Sequence, residues 1–528
     1  MKHNKILISI IVILFLGSCQ DFEELEKDPN RPTSVTPGLV LNGVLNDMTE
    51  RAWNNTQRWN QFNCCNYNYY GTQEYNWTSA TLYYTTLKNV VKMEEEAVSG
   101  GAKALNPYAA LGKFLRAYFY YRMTMIVGDL PQEEALQGLQ ELTPEYDTQK
   151  QIFGKILNWL DTANTDIAAL ISSGDNTLSG DFYYNNDLRK WQKAVNSFKL
   201  RVLVQLSKKE TDADLNIKAK FAEVLSNKSK YPLFDSNLDN LQYVYNNQFN
   251  KYPINPDNFG FDATRYNYSS TYLNRLSALK DPRVFIMAEP AGEKLKSGLT
   301  PTSYEAFVGA DPNQDLGDMS SKAGIDNGAG YLPGKYSFFN RKRFYSTYTA
   351  ENTIQIGYPE LCFNIAEGIH RGWATGNAEE WYVKGIQASH RFYGLKEGDN
   401  DVYFFKAGGS PTNSADYNKY TIQFNWEQYY AQAGVKYETG SAGLDKILLQ
   451  KYLAFFQNSG WEAYFNYRRT GIPSFSENGP GTGNSGKIPK RFQYPSSELT
   501  TNSENLTEAL TRQFGGKDDI NLDMWVIK

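Results

Sequence analysis

The stretch TQKQIFGKILNWLDTANTDIAALI repeats apolar residues at steps of three and four: Ile152, Phe153, Ile156, Leu157, Leu160, Ala163, Ile167 and Leu170. That spacing lines them along one face of a helix and does not fit the two-residue alternation of a half-buried strand. The same period returns in YAALGKFLRAYFYYRMTMIVGDLP, closed by Gly128 and Pro131. It returns again in WQKAVNSFKLRVLVQLSKK, whose basic end suits the C-terminus of a helix. Further on, YPELCFNIAEGIHRGWATGNAEEWYVKGIQASHRFYG reads as two helices turning at Gly376 and Asn377. Tyr358, Leu361, Ile365, Ile369 and Trp373 share a face of the first, and Tyr382, Ile386, Ser389 and Tyr393 continue on the second. Small Ala366, Gly385 and Ala388 let such helices approach closely, as in tetratricopeptide repeats. Strand patterns are short and few, so the expected fold is mostly α.

Between about Pro232 and Gln355 the period fades into KYPINPDNFGFDATRYNYSSTYL and GAGYLPGKYSFFNRKRFYSTYTAEN, rich in Gly, Pro, Asn and Tyr. FSENGPGTGNSGKIPKRFQYP is a second irregular stretch. The reading is a helical scaffold over about 35–231 and 356–470, with an irregular lobe over about 232–355 and 471–495. Loops held on a rigid scaffold commonly carry function. One further run stands out: FNCCNYNYYGTQEYNW, Phe62 to Trp77, holds six aromatic rings and a single charge, Glu74. The whole chain is 15% aromatic with 38 Tyr, yet its mean hydropathy is −0.56. Rings in a polar chain suit a binding surface, because each offers an apolar face with a polar handle.

The first eighteen residues are a signal peptide by pattern. MKHNK is basic, ILISIIVILFLG is apolar but too short for a stop-transfer span, and Leu16, Gly17 and Ser18 precede Cys19. This is a bacterial lipobox, with Cys19 as the lipidated first residue of the mature chain. The acidic QDFEELEKDPN then opens a tether over 19–34, and a single domain follows over 35–528. Removing Lys2 and Lys5 from 54 basic residues leaves 52 against 58 acidic, a net charge of −6. No basic patch appears, so nucleic acid is not an expected partner. Cys64, Cys65 and Cys362 are an odd number and give no disulfide framework, so they are read as free thiols.

Motifs for bond-making chemistry fail on context. GTGNSGK, Gly481 to Lys487, has phosphate-loop spacing, but no buried strand precedes it and Pro489 blocks the helix that would bind phosphate. DPNQDLGD supplies Asp311, Asn313, Asp315 and Asp318, yet Lys322 stands where a calcium loop places its bidentate Glu. A solvated turn is expected there, with no cofactor, no metal and no support for a structural calcium ion. His370 and His390 sit inside amphipathic helices, and no His/Cys cluster has zinc spacing. A catalytic carboxylate pair cannot be picked from sequence, because that pairing is spatial. The chain is read as a binding protein, not an enzyme.

Several stretches, in order, resemble the SusD/RagB family of Bacteroidetes outer-membrane lipoproteins, in its SusD-like branch. They are the lipobox with DFEELEKDPNRPTSVTPGLVL, the helix ending VGDLP, WQKAVNSFKLRVLVQLSK, LKDPRV, IAEGIHRGWATGNAEEWYVKGIQAS, WEAYFNYRRTGIP, IPKRFQYPSSELTTNSENLTEAL and the terminal DMWV. The resemblance implies four tetratricopeptide-like helix pairs with the irregular segments as an opposite lobe. It also implies a surface-exposed, lipid-anchored protein of the outer membrane that closes as a lid on a SusC-type TonB-dependent transporter and delivers oligosaccharides to it. Arg468, Arg469 and Thr470 match a family motif and are read as structural. The regions used for ligand contact in that family map here to Tyr67–Trp77 and about Tyr252–Tyr345. By residue type, the expected stacking rings are Tyr69, Tyr70, Tyr75, Trp77, Tyr266, Tyr268, Tyr331 and Phe339. The expected polar contacts are Asn68, Gln73 and Arg265. Within the first run, Tyr69 to Trp77 is expected to carry the contact. Two rivals stand beside this reading: a peptide-capturing lid of the RagB type and a surface-anchored helical glycoside hydrolase or lyase.

Overall fold

The computed structural model describes residues 35–326 and 331–528. The signal segment, Cys19 and the tether lie outside the described residues. The longer helices are α1 (Pro37–Met48), α2 (Tyr84–Ser99), α3 (Pro107–Val127), α4 (Gln149–Ser172), α5 (Leu188–Gln205), α6 (Ile217–Ser226), α7 (Ser270–Ala278), α8 (Tyr358–His370), α9 (Ala378–Phe392), α10 (Gly440–Ala454), α11 (Glu462–Thr470) and α12 (Ser503–Phe514). Consecutive helices pack on one another from α2 to α5, α5 meets α8, α8 pairs with α9, and α10 lies against both. The result is the tetratricopeptide-like helical scaffold expected.

The helices form where their sequences say they should. All eight periodic residues of α4 are buried. Its start is fixed by a reciprocal cap: Gln151 N donates to Thr148 Oγ1 at 3.3 Å, and Thr148 N donates to Gln151 Oε1 at 2.9 Å. α3 begins at an Asn106 side-chain cap and ends at Gly128, and nearly every face of it is buried because α2 and α4 flank it. Gly385 lets α9 close on α8, since a Cβ there would lie 2.8 Å from the Phe363 ring.

Four two-stranded antiparallel ladders lie among the described residues. β1 (Asn63–Cys65) pairs with β3 (Tyr266–Tyr268), β2 (Leu241–Tyr243) with β6 (Thr353–Ile356), β4 (Gly324–Asp326) with β5 (Tyr331–Pro333), and β7 (Gly398–Phe405) with β8 (Tyr417–Phe424). The β7–β8 hairpin falls inside the stretch read as helical scaffold. Its alternation is hard to see in GDNDVYFF and YNKYTIQF because aromatic residues occupy both faces.

Buried ion pairs tie the scaffold together. Arg201 on α5 donates from Nε and Nη2 to the two Glu360 oxygens on α8 at 2.5 and 2.6 Å. Arg469 on α11 grips Glu367 on α8 at 2.5 and 3.0 Å. Arg283 and Asp281, from LKDPRV, pair at 2.7 Å with Ser389 and Gln450 completing the set. Arg468 instead lies over the Tyr464 and Phe465 rings and donates to Lys490 O. Burial pushes the Glu367 carboxyl up, but Arg469, helped by Arg371 and Lys451, holds it down to about 2, from an ordinary 4.5. A depressed carboxyl contributes stability above its unfolded pKa and loses it as pH falls toward its folded one. We therefore expect about 3 kcal/mol from this group at neutral pH, lost between about pH 4.5 and 2. Urea titrations across that range should show a shallower pH dependence in Glu367→Gln than in the parent chain.

Candidate ligand platform

The β1–β3 ladder joins the two stretches expected to meet a ligand, with Cys65 opposite Tyr266 and Asn63 opposite Tyr268. Buried Asn66 extends the seam: its N donates to Arg265 O at 2.8 Å, and its Nδ2 donates to Thr264 O and Asn267 Oδ1 at 2.9 and 2.7 Å. The chain then lifts off into a single 3-10 turn, Asn68–Tyr70. It is stopped by Gly71 at φ 125°, a conformation that suits glycine. A Cβ at Gly71 would also lie 2.6 Å from Arg58 Nη2, so this position is closed to a side chain twice over.

This turn raises rings to the surface. Tyr69 is 82% exposed, Tyr67 and Asn68 are exposed, and Tyr70 and Tyr266 are half-buried. Tyr69 meets Tyr70 edge-on at 5.2 Å, and Tyr70 meets Tyr266 at 6.2 Å and 78°. Tyr67 lies 6.2 Å from Tyr70, and the Arg265 guanidinium sits 4.8 Å over the Tyr67 ring. Tyr69, Tyr70, Tyr266, Asn68 and Arg265 are thus brought into one cluster. Tyr67 and Arg58 lie in the same cluster and are not among the contacts expected from the sequence. Gly71, a glycine among aromatics, was the one sequence signal for the turn.

The other expected contacts go elsewhere. Tyr75 is 2% exposed, donating its hydroxyl to Trp59 O at 2.8 Å and accepting from Gln61 Nε2 at 3.2 Å. Trp77, 5% exposed, stacks on Phe492 at 4.2 Å and 6°, with Trp59, Trp461 and Tyr464 edge-on around it. Tyr268 and Phe339 meet edge-on at 4.6 Å inside the core, and Tyr268 donates to Met287 O at 2.7 Å. Gln73 is buried, its Oε1 accepting from Cys65 N at 2.7 Å. None of these five offers a face to a ligand. The physical reason is that the chain after Gly71 dives beneath the C-terminal segment, with Tyr75 N donating to Thr482 O and Ala80 N to Gln493 O. The run of six rings is split at the glycine, and its earlier half is the exposed one. Tyr331 lies in β5, and its side chain is outside the described residues.

The remaining motifs are structural. Residues 481–487 form a loop with one short 3-10 turn, and Gly481 N and the Thr482 hydroxyl both bond to Asn313. In DPNQDLGD, Asp315 caps the following helix, Asp318 pairs with Lys322 at 2.6 Å, and Asp311 accepts from the Ser476 hydroxyl at 2.9 Å. Among the described residues no group of His, Cys, Asp and Glu is placed to hold a metal ion. His370 is spent on Tyr437 and Gly440 O, while buried His390 lies beside Asp281 and its pKa is lowered by that burial. Cys64, Cys65 and Cys362 are unpaired and buried, and burial pushes the Cys362 thiol up to about 12, far from a reactive thiolate. Among the described residues no helix is long and apolar enough to cross a membrane. A cleft of about 470 Å³ lined by Lys193, Phe234, Ile369 and Trp381 lies on the scaffold and shares no residue with the platform.

Comparison with known proteins bears on the fold and the family. No curated protein sequence matches the chain. A SusD homolog of Bacteroides fragilis superposes with a TM-score of 0.79 at 32% identity, covering 94% of this chain and 100% of its own. A second SusD homolog from that species gives 0.75 at 30%, with the same coverage. A chitin-binding SusD homolog from Flavobacterium johnsoniae shares the fold, with a TM-score of 0.67 at 18% identity over 93% of this chain and 98% of its own. The profile of a family described as SusD-like, starch-binding and associating with the outer membrane matches residues 29–495. With that profile spanning most of the sequence and the fold shared over 94% of it, the chain belongs to the SusD-like family.

Proposed function

We propose that this chain is a surface lipoprotein that captures oligosaccharides on the Tyr67–Tyr70 and Tyr266 platform and hands them, as a hinged lid, to a SusC-type TonB-dependent transporter. The observation that carries this reading is the exposed ring cluster itself, a raised turn stitched to β3 at its base. A sugar ring presents a face of C–H bonds, so stacking on tyrosine buries apolar area while the hydroxyls keep their hydrogen bonds. Rings with few rotatable bonds lose little entropy on contact. A few such stacks give weak, reversible capture, which delivery requires. Asn68 and Arg265 stand beside the rings to orient hydroxyls. Family membership supports the ligand class and the outer-membrane setting, and Cys19 would supply the lipid anchor. Native gels cast with a panel of glycans test this: retardation without shortened products supports capture. Release of shortened products would mean a hydrolase or lyase, and retention of peptides alone would mean a peptide lid. Co-purification of a β-barrel transporter with the membrane-anchored chain, lost in Cys19→Ala, tests the partner and the anchor together.

A further inference from the structure

Three arginines buried elsewhere in this protein are matched by carboxylates, Arg201 by Glu360, Arg283 by Asp281 and Arg469 by Glu367, while Arg468 meets ring faces and a carbonyl. The two at the platform also lack a carboxylate partner among the described residues. Arg58 is only 6% exposed, yet among the described residues it makes no ion pair; Nη2 donates to the neutral Asn55 Oδ1 and its Nε has no acceptor. Among the described residues Arg265 also makes no ion pair; its Nε is buried without an acceptor, and its guanidinium lies over the face of Tyr67. Both guanidinium groups act on the same neighbour, the Cys65 thiol, whose pKa they lower against the stronger upward push of burial. Asp262 accepts from the Tyr345 hydroxyl at 2.9 Å and Glu74 from Asn76 Nδ2 at 3.1 Å, and neither forms an ion pair with Arg58 or Arg265 among the described residues. Gly71 leaves room for Arg58 Nη2 immediately behind the ring-bearing turn. A buried cation without a counter-charge is costly, and an anion supplied from outside the chain would relieve that cost. Guanidinium groups match carboxylate and sulfate oxygens in a two-pronged geometry.

We infer that the platform is built for an acidic oligosaccharide, with Tyr67–Tyr70 and Tyr266 stacking on sugar faces and Arg265, backed by Arg58, receiving a carboxylate or sulfate on the sugar. The inference rests on the reading of the platform as a glycan site and adds the charge of the ligand. Isothermal titration of the full mature chain should use four probes of about six units: oligogalacturonate, which carries carboxylates; κ-carrageenan oligosaccharide, which carries sulfates; neutral maltohexaose; and chitohexaose. At least one acidic probe should bind about tenfold or more tighter than the neutral ones, and the two acidic arms identify the anion. Its affinity should fall as salt rises from 20 to 300 mM, because a charge contact at the surface is screened. Arg265→Gln, at a half-exposed position, should fold normally and erase both the preference and the salt dependence. Equal binding of neutral and acidic probes, untouched by Arg265→Gln, overturns the inference and leaves the glycan platform standing. Binding of none of the four overturns both, as does exclusive binding of a penta-glutamate peptide included as control.

Discussion

Replacing Arg469 with Ala is expected to destabilise the protein by about 3 kcal/mol, because the buried carboxylate of Glu367 loses its main counter-charge. Glu367 is fully buried and receives two hydrogen bonds from Arg469 at 2.5 and 3.0 Å and a third from Arg371 Nε at 2.9 Å. The pair fastens α11 to α8, and α8 is the helix that α5, α9 and α10 all touch. Arg371 is then the guanidinium left facing the buried carboxylate, and one guanidinium compensates its desolvation less well than two. Differential scanning calorimetry should show a Tm lower by several degrees. The exposed Glu380–Lys384 pair on α9, at 2.6 Å, is the control. Removing Lys384 should leave Tm unchanged, because exposed pairs are screened by water and salt.

The second large effect separates the two halves of the ring run. Trp77→Ala opens a cavity among Phe492, Trp59, Trp461 and Tyr464 and should cost about 3–5 kcal/mol of folding stability. Tyr69→Ala with Tyr70→Ala should leave the melting temperature nearly unchanged, since Tyr69 is 82% exposed and Tyr70 half-buried. That double variant should instead lose about 10- to 100-fold in affinity for the best-binding oligosaccharide, equivalent to about 1.4–2.8 kcal/mol. Thermal melts and titrations on both proteins check this directly. A stable Trp77→Ala protein that binds less sugar would invert the assignment.

The scaffold could be read in the sequence because helical period is a one-dimensional signal: α4 buries every residue its spacing marks. The ordered motifs carried the family as well. What spacing could not supply was direction. Tyr69 and Tyr75 have the same chemistry and lie six residues apart, yet one points to solvent and the other to Trp59 and Gln61. The difference is decided by Thr482 and Gln493, some 400 residues away, whose carbonyls pull the chain after Gly71 inward. The same limit hid Arg58. Nothing local marks it as a cation without a counter-charge, because its missing partner is a fact about space. The β7–β8 hairpin was missed for a different reason: Tyr and Phe on both faces blur the two-residue period that identifies a half-buried strand.

The central claim is that the earlier half of the ring run, joined to β3, meets the sugar. Hydrogen–deuterium exchange of the mature chain, with and without the tightest-binding oligosaccharide of the panel, tests it most directly. The account predicts ligand-dependent protection confined to peptides spanning 66–72 and 264–268. Protection instead around Lys193, Phe234 and Trp381, with 66–72 unchanged, would place the sugar in the scaffold cleft and contradict it.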